Sequence, residues 1–333
     1  MWVDAVSMNT AKLSHVQALF LAFAFTSHIG STYCNQLQWH IEIGLFFDTN
    51  YHPHPPSTVR SIREYCEELF NSLSRRLSLL GSGRFVFFLG GPHKLAPQES
   101  SVLFRTSAKK PTTNDVHRNW LSSSAKSIRA RTRHKDVIIL LTKRALTFPN
   151  GKEVSGFAVK HGMCTKDDLI VVHDDGMFSA ENNLVRFFLH SSGVDYDGYG
   201  SAKQCSAFGG YLMGSGLPRL PLEFSHCTMR LAYGAFSHLT CITSKMSKKA
   251  HHPIPSPPKV TRHEFCGVFG AEPCDDKGMD KYEHKRSERY DCYAFCCKGL
   301  YKILELAGPD GLKCGEDLLY SKGKRCLLGR CKS

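Results

Sequence analysis

One helix-length stretch of this chain gathers side chains that could do chemistry together. Arg186 and His190 lie four residues apart, Gly193 follows, and Tyr196 stands between Asp195 and Asp197. A four-residue step puts two helical side chains on one face, and glycine suits the left-handed exit by which a chain leaves a helix and turns. A histidine in this frame can ligate a metal or carry a proton. Its neighbours cannot share either task. A guanidinium stays protonated and has no acceptor atom. Phe187, the next helical residue, has nothing that takes a proton from water. Tyr196 offers a weak oxygen ligand at best, because its phenol is protonated near neutral pH. A catalytic zinc needs about three protein ligands beside its water, and His190 is the one good ligand here.

The segments on either side of this stretch supply its scaffold. Trp39 to Asp48 reads as a strand ending in an acidic residue. Thr58 to about Leu80 is helical, with Ile62, Tyr65, Leu69, Leu73 and Leu77 spaced by three and four. Arg84 to Leu89 is an apolar strand, Val116 to Arg131 a polar helix, and Asp136 to Thr142 a buried strand. Ser155 to Val159 is a short edge strand, and Leu169 to Gly176 another strand. The helix with Arg186 and His190 comes next, then Tyr211–Ser215, Phe224–Thr228 and Thr240–Cys241.

From Leu184 to Gly198 the chain runs R-F-x-x-H-x-x-G-x-x-Y where the metzincin protease signature runs H-E-x-x-H-x-x-G-x-x-H. The D-V-I-I-L-L-T strand, the G-M-C-T turn, the V-V-H-D-D-G strand and the F-S-H-C-T segment resemble the reprolysin (adamalysin) branch of that group. This branch includes ADAM, ADAMTS-like and secreted salivary or venom metalloproteases. The resemblance covers about Trp39 to Ile242. It implies an α/β fold of metzincin type: a mixed twisted sheet, flanking helices and an active-site helix, plus a small disulfide-rich C-terminal module. It places zinc ligands at Arg186, His190 and Tyr196, the general base at Phe187, and the methionine turn at Met213. Gly193, Asp195 and Asp197 shape the site. Only His190 is retained as a ligand, so no cofactor is expected although the family uses zinc. The Arg186 guanidinium is expected to pair with Asp195, Asp197 or the Tyr196 hydroxyl, or else to turn to solvent.

Fourteen cysteines in 333 residues argue for an oxidising compartment. The resemblance suggests Cys164 with Cys241 and Cys205 with Cys227, leaving Cys34 and Cys66 either to pair or, for Cys66, to stay a buried thiol. Eight more, Cys266, Cys274, Cys292, Cys296, Cys297, Cys314, Cys326 and Cys331, crowd the last part of the chain. An even count in a short stretch reads as a disulfide-stabilised module of open connectivity. Asp310-Gly311-Leu312-Lys313-Cys314-Gly315 and Cys326-Leu327-Leu328-Gly329-Arg330-Cys331 resemble the ends of cysteine-rich modules in ADAMTS-like proteases, which implies partner recognition. The prolines between Ala250 and Lys259 favour an extended spacer. The expected organisation is a signal peptide at 1–33, a degenerate protease-like domain at 39–245, a Pro-rich linker at 246–262 and a cysteine-rich domain at 263–333.

The signal is read from Lys12 and the apolar run Val16 to Phe25, too short to span a bilayer. No later run is long enough for a membrane span, and 42% apolar content suffices for a core. A secreted, extracellular protein is expected. The net formal charge is +13, with basic groups from Lys109 to Lys135 and from Lys281 to Arg289. In that compartment such charge suits anionic glycosaminoglycan, cell surface or acidic proteins rather than nucleic acid. The leading expectation is a metalloendopeptidase-like protein without catalytic power that binds extracellular proteins or peptides. The alternatives are an active zinc endopeptidase with non-standard ligands, and an adhesion or toxin-like protein acting through its tail.

Overall fold

The computed structural model describes residues 36–107, 110–132, 135–216, 218–220, 222–247, 254–274, 292–299, 302–314 and 323–333. The signal-like N-terminus, Cys34, Lys109, Arg133, His134 and the basic group from Lys281 to Arg289 lie outside them. Two compact units are present: Met1–Gln36 with Met246–His252, almost all outside the described residues, and Leu37–Lys245 with Pro253–Ser333.

The larger unit is centred on a mixed sheet. Strands β1 (Gln36–Phe47), β2 (Arg84–Lys94), β3 (Val137–Thr142) and β7 (Leu169–His173) run parallel in the order β2-β1-β3-β7. The sheet ends on β6 (Gly156–Ala158), antiparallel to β7. Two short strands, β4 (Leu146–Thr147) and β5 (Glu153–Val154), pair with each other before it, and β8 (Thr243–Ser247) pairs with β1.

Successive strand residues face opposite sides of a sheet, and both sides of this one are apolar. Ile41, Ile43, Leu45, Ile139, Leu141, Ile170 and Val172 belong to one buried cluster, while Phe46, Ile138, Leu140, Leu169 and Val171 belong to a second. The first packs on α1 (Ile62–Ser78), capped by Ser61, and on α5 (Glu181–Ser191). The second packs on three short helices, α2 (Pro97–Leu103), α3 (Thr113–Leu121) and α4 (Lys126–Arg131). A parallel sheet covered on both faces accounts for the continuous apolar runs of β3 and β7.

Two sequence expectations are corrected here. The helix expected from Val116 to Arg131 is two helices, because Ser122 leaves the helical conformation with ψ 159 and closes α3. The strand expected to reach Gly176 stops at His173, where its partner β3 ends at Thr142.

After α6 (His226–Ser237) and α7 (Arg262–Gly267), β9 (Glu272–Pro273), β10 (Tyr293–Lys298) and β11 (Lys302–Ala307) form a three-stranded antiparallel sheet. A hairpin of β12 (Arg325–Leu327) and β13 (Arg330–Lys332) closes the chain. Four bridges hold this part: Cys266–Cys296, Cys274–Cys297, Cys292–Cys326 and Cys314–Cys331. Cys164–Cys241 and Cys205–Cys227, the pairs suggested by the resemblance, are bonded in the larger part. Cys66 is a free buried thiol.

The cysteine-rich part shares one continuous apolar cluster with the sheet, through Phe265, Cys266, Tyr293 and Leu312. The proline-rich stretch before it is a strap: Arg75 Nη1 donates to the Pro255 carbonyl at 3.0 Å and Thr58 Oγ1 to that of Lys259 at 3.2 Å.

Candidate functional site

Helix α5 starts where the chain turns hard. Met177 and Phe178 have φ of +48° and +61°, a region costly for side-chain-bearing residues unless their surroundings enforce it. Asp174, fully buried, supplies the enforcement. Its carboxylate accepts from the hydroxyls of Tyr51, Tyr65 and Ser179 and from the Gly176 N–H, and the Tyr65 hydroxyl in turn accepts from the Phe178 N–H. The helix ends with Gly193 at φ +111°, and the N–H of Val194 reaches back to the carbonyl of Leu189 at 2.9 Å. A side chain at Gly193 would collide with the His161 ring. The following segment is pinned by the Asp197 N–H on the carbonyl of buried Met213, at 3.0 Å. Arg186, His190, Tyr196 and the Met213 turn are thereby brought together.

His190 is half-buried, and its Nδ1 donates to the Val194 carbonyl at 3.1 Å. That assignment leaves a lone pair on Nε2. Burial pushes its pKa down, against the Val194 hydrogen bond and Asp195, with Lys160 and His161 adding to the lowering. The Tyr196 ring stacks on it, with centroids 4.4 Å apart and planes at 21°. Burial pushes the Tyr196 phenol up to about 12, against the pull of Arg186. Phe187 is buried against β6, where a side chain at Gly156 would meet its ring at 2.8 Å.

The expectation for Arg186 is corrected. It makes no hydrogen bond or ion pair to Asp195, Asp197 or Tyr196, nor does it turn to solvent. Its guanidinium carbon sits 5.5 Å from the Tyr196 ring centroid, and its Nε is buried with no hydrogen-bond partner. At Asp195 the reason is competition for the carboxylate, whereas Asp197 keeps an unpartnered buried Oδ2 that Arg186 does not reach. Lys160 takes Asp195 at 2.6 Å, and the Ser201 N–H binds the other oxygen at 2.8 Å. Burial raises the Asp195 pKa, but these two partners outweigh it and hold the carboxyl below its usual value. Asp197 accepts from Ser225 Oγ at 2.5 Å, and burial pushes its pKa up.

Zinc does not fit this donor set. Arg186 has no lone pair to give, the Tyr196 phenol is protonated, and Asp195 is held by a lysine. Among the described residues, the trios of close potential ligands are Cys205 with His226 and Cys227, and Cys292 with Cys314 and Cys326. Every cysteine in them is in a disulfide, and His190 belongs to neither.

Sequence reasoning missed two features beside this site. His173 donates through Nδ1 to the Arg144 carbonyl at 3.2 Å and through Nε2 to Asp175 at 3.1 Å. Both neighbours are acceptors, and the hydrogen bond to Asp175 raises the His173 pKa. The second is a buried charge cluster. Arg76, 1% exposed, contacts Glu181 at 2.5 Å and Asp310 at 3.2 Å, and Arg75 reaches Asp310 at 2.9 Å. It joins α1, the start of α5 and the cysteine-rich part. Burial pushes Glu181 up to about 7, partly offset by Arg76. One sequence signal could have found it: Arg76 falls on the apolar stripe of Leu69, Leu73 and Leu77.

The basic residues expected to face an anionic partner are partly occupied within the chain. Lys110 pairs with Glu153, Arg118 with Asp115 and Arg131 with Glu99. No helix among the described residues is long and apolar enough to cross a membrane.

No family model matches the chain, and no curated protein matches it. Solved structures that overlap with it include archaemetzincin from Methanopyrus kandleri, at 11% identity and TM-score 0.38 over 60% of this chain and 97% of that one. Metalloproteinase-II from Bacteroides fragilis overlaps at 13% identity and TM-score 0.30, over 59% of this chain and 53% of that one. A chaperone–substrate complex overlaps at 11% identity and TM-score 0.35, over 60% of this chain. The chain spans 35% of the chain in that complex and about half of the Bacteroides one. Likeness this slight says nothing about activity.

Proposed function

We propose that this chain is a secreted protein on a reprolysin-type, metzincin-like frame that holds an extended peptide without cutting it. One observation carries the reading: His190 keeps a lone pair on Nε2, and among the described residues no trio of close potential ligands includes it. One imidazole does not hold a catalytic zinc. The base position is likewise filled by Phe187, whose ring lies in the core. Binding is supported by the sheet edge. Strand β6 ends the sheet next to α5, and an extended segment adds to such an edge through main-chain hydrogen bonds. Secretion is supported by six disulfides among the described residues.

The test is recovery of bound peptides. The purified protein is incubated with a defined peptide mixture, and bound and free fractions are read by mass spectrometry. The reading predicts enriched peptides of unchanged mass. New termini whose appearance is blocked by a chelator would contradict it.

A further inference from the structure

A cleft of about 360 Å³ opens between α5 and the cysteine-rich part. Its apolar walls include Phe178, Leu212, Phe265, Phe269 and Leu306. The charged groups that line it are His173, Asp175, Glu181 and Arg186. Three of them are already matched. Asp175 is bound to His173 at 3.1 Å, and Glu181 to Arg76 at 2.5 Å. Arg186 is left over. Among the described residues it has no carboxylate within ion-pair distance, and its buried Nε has no hydrogen-bond partner. Asp197 has Oδ1 engaged by Ser225 and Thr228 and Oδ2 buried without a hydrogen-bond partner; it attracts Arg186 from beyond ion-pair distance and does not line the cleft.

We propose that this cleft binds a carboxylate carried on an apolar group, with the Arg186 guanidinium as its counter-ion. The chemistry follows from what Arg186 lacks. A guanidinium presents a planar fork of donors that matches a carboxylate in two parallel hydrogen bonds. A half-buried cation without such a partner bears a desolvation cost that an incoming anion relieves. The apolar walls would take one aromatic or short aliphatic group, and the volume lies near the lower end of small-ligand sites, about 300–1,000 Å³. A dianionic phosphate suits the cleft less well, because Asp175 and Glu181 line it and only one cation is unmatched. The carboxylate belongs either to the C-terminus of a held peptide, which rests on the function proposed above, or to a free small acid, which does not.

Calorimetry on the full chain at pH 7 tests this with four probes: 3-phenylpropionate, its amide, and an acetylated tripeptide ending in Phe as free acid and as amide. Charge-assisted hydrogen bonds of about 1.5–3 kcal/mol predict acids binding about tenfold or more tighter than amides. The preference disappears in Arg186→Gln and survives in part in Arg186→Lys. Binding of the small acid identifies a free acid as sufficient; binding of the peptide acid alone identifies a chain terminus; both support the proposal. Acids and amides binding alike in the unaltered protein would overturn it, as would no binding of any probe or a preference retained in Arg186→Gln. The acid–amide comparison needs no variant, so a misfolded mutant does not leave the matter open. Cleavage of the tripeptide would contradict the non-cutting function while leaving the acid preference to be judged alone.

Discussion

Replacing Asp310 by alanine should cost more stability than any surface ion pair. Asp310 is 1% exposed, and one carboxylate oxygen accepts from Arg75 at 2.9 Å and Arg76 at 3.2 Å. The other accepts from the Leu328 N–H at 2.8 Å. Its removal leaves Arg76, 1% exposed, with Glu181 as its ion-pair partner and takes from Arg75 the carboxylate it is paired with. Breaking a buried pair by deleting one partner costs about 3–5 kcal/mol, mostly the desolvation of the charge left behind. At about 1.4 kcal/mol per factor of ten, the folded fraction relative to unfolded falls by roughly two to nearly four orders of magnitude. Urea denaturation of the parent, Asp310→Ala and Asp310→Asn reads this directly, with the asparagine variant intermediate because it keeps acceptors but loses the charge. The cysteine-rich part should also become the first site of proteolysis, since Asp310 ties it to α1 and α5. A loss below about 1 kcal/mol would refute the argument, because that is what solvent-exposed pairs give.

Three other perturbations have definite expected outcomes. Burial pushes the Cys66 thiol up to about 12, with Asp174 adding to the effect, so iodoacetamide at pH 8 should modify it only on unfolding; rapid alkylation of the native protein would contradict this. Hydrogen bonding to Asp175 raises the folded pKa of His173 above 6.5, so its stabilisation is full below pH 6.5 and is lost as pH rises through the folded value. His173→Gln should remove that alkaline-side loss in a stability–pH profile, and an unchanged profile would refute the pairing. Phe187→Glu should lose about 3 kcal/mol or more, since it removes a buried ring beside Gly156 and inserts a carboxylate without a partner, and should gain no peptidase activity. A stable variant that cuts peptides would be contrary.

Much of the frame was legible because strand and helix periods leave marks in sequence. The apolar runs at Val137–Thr142 and Leu169–His173 announce doubly covered strands, and the spacing of Tyr65, Leu69 and Leu73 announces α1. The pair Gly193 and His190 was likewise readable, because a helix exit has a chemical requirement. What was not legible depends on which segment wins a shared partner. Lys160, on a loop before the Cys164 turn, takes Asp195, one of the partners that Arg186 was expected to have. No local pattern ranks these two cations. The Arg76, Glu181 and Asp310 cluster joins residues separated by more than a hundred positions, and charged side chains ordinarily read as solvent-facing.

Whether His190 still holds a metal is decided by zinc stoichiometry, measured by equilibrium dialysis and elemental analysis, for the parent protein and His190→Ala side by side. The donor set predicts that both retain the same amount, below one zinc per chain, and that neither shows chelator-sensitive peptide cleavage. One tightly held zinc in the parent, lost on substituting His190 and accompanied by such cleavage, would contradict it.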